Sequence, residues 1–222
     1  MMASDGVNGT PGCRFIKEET VYQGEWLSLG VTTYQDPQGQ HRTWETVRRT
    51  TRCDGYKTDG ATVVAVLKRA LHYDQLILVQ QFRPAINAFT LEFPAGLCDA
   101  GESVEDCAIR ELREETGYTG QVISVSPTTC MDPGLSNSTT CLVTAQIDGD
   151  DIVNIRPKPH PEEGEFLKVL YFPMNELLTR INDFTKKEAV TVDSRVYMYA
   201  MALQLSKGKD PVQRSPGRID KK

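Results

Sequence analysis

Three glutamates, Glu111, Glu114 and Glu115, fall within five residues in the stretch RELREETGY, from Arg110 to Tyr118. On a helix Glu111 and Glu115 stand one turn apart, and like charges at that spacing repel by about 0.2–0.5 kcal/mol. The helical wheel sharpens the conflict. Val104, Ala108 and Leu112 form one apolar stripe, Glu111 and Glu115 lie within it, Glu114 borders it, and Arg110 and Arg113 point elsewhere. One explanation is that this end of the helix emerges into solvent, with Glu114 paired to Arg110 one turn back. The other is that the carboxylates converge on a partly buried site, an arrangement that is unfavourable unless a cation compensates it. The cluster is all oxygen, so the cation would be hard, Mg²⁺ or Mn²⁺ in preference to zinc. Mg²⁺ commonly completes its shell with waters and substrate phosphates, which points to a phosphate-bearing substrate.

The elements that must position these residues are legible around them. Ser103 can cap the helix with Asp106 at the third helical position, and Gly117 can take the left-handed position that ends it. Upstream, WLSLGVTTY and HRTWETVRRT flank QDPQGQ, a hairpin around a turn with Pro and Gly, within a strand-like region from about Val21 to Arg52. ATVVAVL and QLILVQQF are apolar strands joined by KRALHYD, and FTLEFPAG is a short strand stopped by Pro94 and Gly96. QVISVS, TTCLVTAQI and FLKVLYF read as further strands. The polar, Pro-rich segment 148–165 reads as a loop. Helices are expected near MNELLTRI and from about Asp193 to Leu205, with Asp193 or Ser194 as cap. The order of strands and helices predicts an α/β or α+β layering with a mixed sheet. The expected organisation is a disordered stretch at 1–13, a β unit at 14–57, a main domain at 58–205 and a flexible basic tail at 206–222.

Composition narrows the function classes. The 222 residues carry a formal charge of −5, a poor match for non-specific nucleic-acid binding, which needs a basic face. No apolar run approaches the length of a membrane span, and MMASDGVNGTPGC has no apolar segment of the secretory type. The six cysteines show no C-x-x-C pairs, so free thiols in a reducing compartment are expected, the cytoplasm first and the nucleus as the second candidate.

Gly96, Glu102, Arg110, Glu111, Leu112, Glu114, Glu115, Gly117 and Tyr118 match the pattern G-x5-E-x7-R-E-U-x-E-E-x-G-U, where U is usually aliphatic, and depart from it only mildly, at Tyr118. This resembles the box of the Nudix hydrolases, which cleave nucleoside diphosphates linked to another moiety. The resemblance implies a Nudix fold, an α/β/α sandwich with a mixed sheet, preceded here by a small antiparallel N-terminal β unit. It implies that Glu111, Glu114, Glu115 and the backbone carbonyl of Ala95 hold two or three Mg²⁺ ions, with Mn²⁺ as substitute, while Glu102 and Arg110 brace the loop by a salt bridge.

From about residue 20 to 205 the segments QQFRP, LEFPAGL, CMDPGLSNST, GEF and TVDSRVYMYA resemble the animal ADP-sugar pyrophosphatase branch of that family. For that branch the resemblance implies adenine held by Trp26 and Trp44 between two subunits of a homodimer with shared sites. Glu45 would accept from the adenine amino group, Arg49 and Arg83 would meet the diphosphate, Leu97 would line the substrate, and Met131 and Asp132 would lie near the terminal ribose. Glu165, in GEF, would be the general base, with Glu162 and Glu163 on the same loop. Trp in an amphipathic hairpin is also ordinary packing, and a carboxylate on a polar loop is ordinarily solvated. Two other functions stay open: a Nudix hydrolase preferring another nucleoside diphosphate derivative, such as an oxidised guanine diphosphate, and a binding module without catalysis. An RNA-binding or decapping role lacks the basic surface it would need.

Overall fold

The computed structural model describes residues 12–52, 58–161 and 164–208; the expectations for the N-terminal stretch, Glu162, Glu163 and most of the tail lie outside them. In chain order the strands are β1 (Arg14–Gln23), β2 (Leu27–Gln35), β3 (His41–Arg49), β4 (Gly60–Lys68), β5 (Gln75–Arg83), β6 (Ala88–Glu92), β7 (Ala95–Leu97), β8 (Gln121–Val125), β9 (Thr129–Cys130), β10 (Thr139–Asp148), β11 (Lys168–Pro173) and β12 (Thr191–Val192). The helices are α1 (Val104–Thr116), α2 (Leu177–Glu188) and α3 (Ser194–Ser206). Two compact units result: Met1–Asp59 with Thr128–Thr140, and Gly60–Pro127 with Cys141–Lys222. The insert at 128–140, which carries Met131 and Asp132, thus groups with the N-terminal unit, although the sequence pattern assigned it to the main domain.

The N-terminal unit is an antiparallel sheet in the order β1-β2-β3. Its expected hairpin turns at Asp36, whose carboxylate accepts from the backbone N–H of Gln38 at 3.0 Å and of Gln40 at 2.9 Å. Strand β1 is an element the sequence pattern did not announce. RFIKEETVYQ is exposed along nearly its whole length and pairs with β2 through two register shifts, so it lacks the alternation that marks a half-buried strand. The insert is tied to the hairpin by Val47 N donating to Leu135 O at 2.9 Å.

The second unit holds a sheet in the order β12-β6-β5-β4-β10-β8, with β11 on β5 and β7 on β4. β12 runs parallel to β6 whereas β5 pairs antiparallel with β4, β6 and β11, which makes the sheet mixed. Strand alternation divides the core between the two faces. Val63, Ala65 and Leu67 of β4 and Ile77 of β5 pack with Cys107, Ala108 and Leu112 of α1. Val64, Leu76 and Leu78 pack with Leu177, Leu178 and Ile181 of α2 and Val196 and Ala200 of α3. This unit is therefore the expected layered α/β arrangement, helix over one face and helices over the other. The polar segment 148–165 contains a short 3₁₀ turn, Ile152–Asn154, in which the Asn154 side chain donates to Thr119 O at 3.0 Å and Asp148 O at 2.8 Å. No helix among the described residues is long and apolar enough to cross a membrane. The described cysteines, Cys13, Cys98, Cys107, Cys130 and Cys141, are thiols.

Candidate active site

Helix α1 begins and ends as its punctuation requires. Ser103 Oγ accepts from Asp106 N at 3.1 Å, and Gly117 closes the helix at φ 76° with its N–H donating to Arg113 O at 2.8 Å. Gly96 has a different justification: a Cβ there would lie 1.9 Å from Glu111 Oε1, so this backbone must be glycine for the Glu111 carboxylate to rest against it. The loop between Gly96 and Ser103 is fastened to the helix by Arg110. Its Nε donates to Glu102 Oε1 at 2.9 Å, and its Nη2 donates to Glu102 Oε2 at 2.9 Å and Leu97 O at 2.8 Å. The expected Glu102–Arg110 salt bridge is therefore present. Arg110 does not point away from the acidic stripe, as the helical wheel alone implies. Its long side chain folds back over it, with Nη1 donating to Glu111 Oε1 at 2.7 Å and Glu114 Oε2 at 3.0 Å.

Glu115 has a different environment. It is 4% exposed, and its carboxylate accepts from Ala95 N at 3.1 Å. Burial pushes its pKa up to about 8; the Ala95 N–H opposes this, while the charges of Glu111, Glu165 and Glu92 add to it. Burial also pushes Glu111 up to about 7, outweighing the hydrogen bond from Arg110. Two adjacent carboxylates of the box are thus held where ionisation is disfavoured, which is the electrostatic setting a hard cation would relieve. The donors fit Mg²⁺ or Mn²⁺: carboxylate oxygens of Glu111, Glu114 and Glu115 with the start of β7 at Ala95 beside them. Among the described residues no three acidic, His or Cys side chains already converge on one point. Glu111 and Glu114 share Arg110 Nη1, so seating a cation requires them to turn from it.

Arg83 and Glu165 join the same cluster. Arg83 Nε donates to Glu92 Oε1 at 2.8 Å and its Nη2 donates to Oε2 at 2.6 Å. The Glu92 hydrogen bond, with the charges of Glu115 and Glu165 behind it, raises the Arg83 pKa above its ordinary value. Glu165 acts on Glu111, Glu115 and Arg83 alike, although it comes from the loop before β11. That loop is anchored to α1, because His160 N donates to Glu114 O at 2.7 Å and the Lys158 backbone packs where a Cβ on Gly117 would stand. Glu92 was missed in the sequence; its signal is a lone carboxylate inside the apolar run FTLEFP.

The remaining expected site residues belong to the N-terminal unit. Trp26 is 65% exposed, immediately before β2, and Trp44 is 50% exposed on β3. Strand register pairs Trp44 with Thr32, six residues beyond Trp26, so the backbone positions of the two tryptophans of one chain stand about 20 Å apart along the sheet. They cannot sandwich the same ring. Trp44 Nε1 donates to Gly134 O at 3.0 Å, beside an open cavity of about 390 Å³ lined by Phe15, Thr32, Tyr34, Trp44, Thr46 and Pro133. Arg49 ends β3 opposite Leu27 and so shares the Trp26 end, whereas Glu45 faces Val31 in mid-strand. Met131 and Asp132 are exposed in the insert. Arg48 is paired with Glu18.

The buried acidic helix behind a glycine strand, on a layered mixed sheet, is the architecture of a recognised class. Residues 57–193 match the NUDIX domain, and the chain belongs to the Nudix family. It is 48% identical over 210 residues to the mouse ADP-sugar pyrophosphatase, spanning 94% of this chain and 96% of that protein. It is 35% identical over 195 residues to the ADP-ribose pyrophosphatase of Saccharomyces cerevisiae, spanning 87% and 83%. A crystal structure of an ADP compounds hydrolase superposes with a TM-score of 0.61 over 93% of this chain and 100% of that one, at 22% identity, which supports the fold.

Proposed function

We propose that the protein hydrolyses the diphosphate linkage of ADP-ribose and related ADP-sugars to AMP and a sugar phosphate. The observation that carries the reading is the pair of partly buried Glu111 and buried Glu115, both pushed towards neutrality by burial on a Nudix box. The substrate class follows from the named relatives, above all the mouse ADP-sugar pyrophosphatase. Held by Glu111, Glu114, Glu115 and Ala95 O, Mg²⁺ or Mn²⁺ would supply charge neutralisation on the diphosphate oxygens and a more acidic water. Glu165 takes the proton of the attacking water; its charge already bears on Glu111 and Glu115. Arg83 and Arg49 bind diphosphate oxygens, and Leu97 lines the substrate beside the Arg110-held loop.

The base is assigned to Trp26 and Trp44, with Glu45 accepting from its amino group and Met131 and Asp132 meeting the terminal ribose. Because the two tryptophans of one chain are rooted about 20 Å apart along the sheet, a base stacked on both faces needs one indole from each of two copies, which supports a homodimer with shared sites. The exposed Phe15, Val21, Tyr22, Trp26 and Leu27 give the N-terminal sheet an apolar surface suited to that contact. The test is to follow AMP release from ADP-ribose with Mg²⁺, with Glu115→Gln alongside. Turnover by the wild type and its loss in the variant are expected; a wild type without turnover refutes the substrate, and a fully active Glu115→Gln refutes the metal assignment.

A further inference from the structure

Glu92 belongs to no part of the Nudix box, yet it is a carboxylate only 6% exposed at the end of an apolar strand. Such a group needs strong partners. They lie on one face of the β5–β6 hairpin. The register sets Gln81 opposite Thr90 and Val79 opposite Glu92, so Gln81, Arg83, Thr90 and Glu92 project to the same side. Arg83 grips Glu92 through Nε at 2.8 Å and Nη2 at 2.6 Å, and the Thr90 hydroxyl holds Glu92 Oε1 from behind. Two parallel N–H···O bonds fix the plane of a guanidinium as well as its position. They leave Nη1 and the outer Nη2 N–H unused by Glu92. The charges of Glu115 and Glu165 also bear on this same guanidinium.

We propose that Glu92 is a positioning residue: it holds the Arg83 guanidinium by the bidentate pair so that the remaining donors meet the substrate diphosphate. The inference rests on the ADP-sugar reading above. Its physical basis is preorganisation. The Arg83 side chain is 49% exposed, and an arginine free to sample its rotamers must be ordered each time a substrate binds. Glu92 has already ordered it. A merely structural Glu92 would stabilise the hairpin but would have no effect that passes through Arg83.

The experiment is steady-state ADP-ribose hydrolysis at saturating Mg²⁺ for wild type, Glu92→Gln, Arg83→Ala and the double variant. Glu92→Gln should raise KM roughly tenfold or more, with a smaller change in kcat, because a charge-assisted hydrogen bond is lost and the guanidinium is released. In the Arg83→Ala background the same change should add nothing. Arg83→Lys, which keeps the charge but cannot form the fork, should resemble Glu92→Gln. An unchanged KM in Glu92→Gln, or equal effects in both backgrounds, overturns the inference. Should Glu92→Gln fail to fold, Thr90→Val removes the hydroxyl behind Glu92; a KM rise that disappears in Arg83→Ala supports the role, and no rise overturns it. A wild type without turnover refutes the ADP-sugar reading and this inference with it. An active wild type indifferent to Glu92 refutes this inference alone.

Discussion

Replacing Glu115 by Gln should stabilise the metal-free protein, by an amount that grows with pH. Glu115 is 4% exposed and burial holds its pKa at about 8, against an ordinary 4.5. Between those values the folded protein keeps a proton that the unfolded chain releases, so stability is complete below pH 4.5 and is lost as pH rises through 8. At 1.36 kcal/mol for each unit of pH above the unfolded value, the loss at pH 7 is about 3 kcal/mol. Gln is neutral throughout and can still accept from Ala95 N through its carbonyl oxygen. The variant should therefore match wild type near pH 4.5 and exceed it by up to about 3 kcal/mol at pH 7, or roughly 6–12 °C in melting temperature. The assay is urea or thermal unfolding in EDTA across that pH range, repeated with Mg²⁺. Mg²⁺ at a hundred times its Kd should restore about 2.7 kcal/mol to wild type and far less to the variant. A variant no more stable than wild type at pH 7 refutes the argument, as does a gain that is the same at every pH.

Glu165→Gln should lower kcat by roughly 10²- to 10⁴-fold with little change in KM, as expected for loss of a general base; steady-state kinetics on ADP-ribose decide, and a kcat within a few-fold of wild type removes Glu165 from that role. Trp44→Ala should raise KM for adenine nucleotides by roughly five- to a hundredfold, since stacking contributes about 1–3 kcal/mol per base. An unchanged KM would leave Trp44 as packing against the insert through Gly134. Gly96→Ala should displace the Glu111 carboxylate, because the added Cβ would meet Oε1 at 1.9 Å; calorimetry should show Mg²⁺ binding much weakened, and wild-type affinity would show that the loop yields without cost.

Local signals carried the site in the second unit further than its partners. Ser103, Gly117 and the stripe of Ala108 and Leu112 announce α1 because capping and 3.6-residue periodicity are written within a few residues of one another. The glutamates out of place on that stripe mark the site for the same reason. Strand β1 escaped because it buries almost nothing, and a strand without a buried face has no alternation to read. Glu92 stands out locally as a carboxylate in an apolar run, but its role and the grouping of 128–140 with the N-terminal unit escaped because they depend on partners distant in sequence, Arg83 for Glu92 and Leu135 for Val47, that no local pattern encodes. The direction of Arg110 escaped for a third reason. A wheel assigns an angle to Cβ, while an arginine stem is long enough to carry its charge round to the next face.

The arrangement of charges around α1 gives the acidic residues unequal parts in the fold. Glu102, Glu111 and Glu114 each have a donor in Arg110, and the pair with Glu102 ties the loop to the helix whether or not a cation is present. Glu115 receives one backbone N–H, from Ala95, and the largest charges bearing on it, those of Glu111, Glu165 and Glu92, are negative, with the Arg83 guanidinium a weaker opposing charge. It is thus the carboxylate that the polypeptide compensates least and buries most among the three of the box. A divalent cation that drew Glu111 from Arg110 would lose one charge-assisted hydrogen bond, whereas its contact with Glu115 would relieve a penalty the fold already carries. Cation affinity and fold stability should therefore be linked through Glu115 more than through Glu114, even though both satisfy the same motif. The distinction comes from burial and from the reach of Arg110.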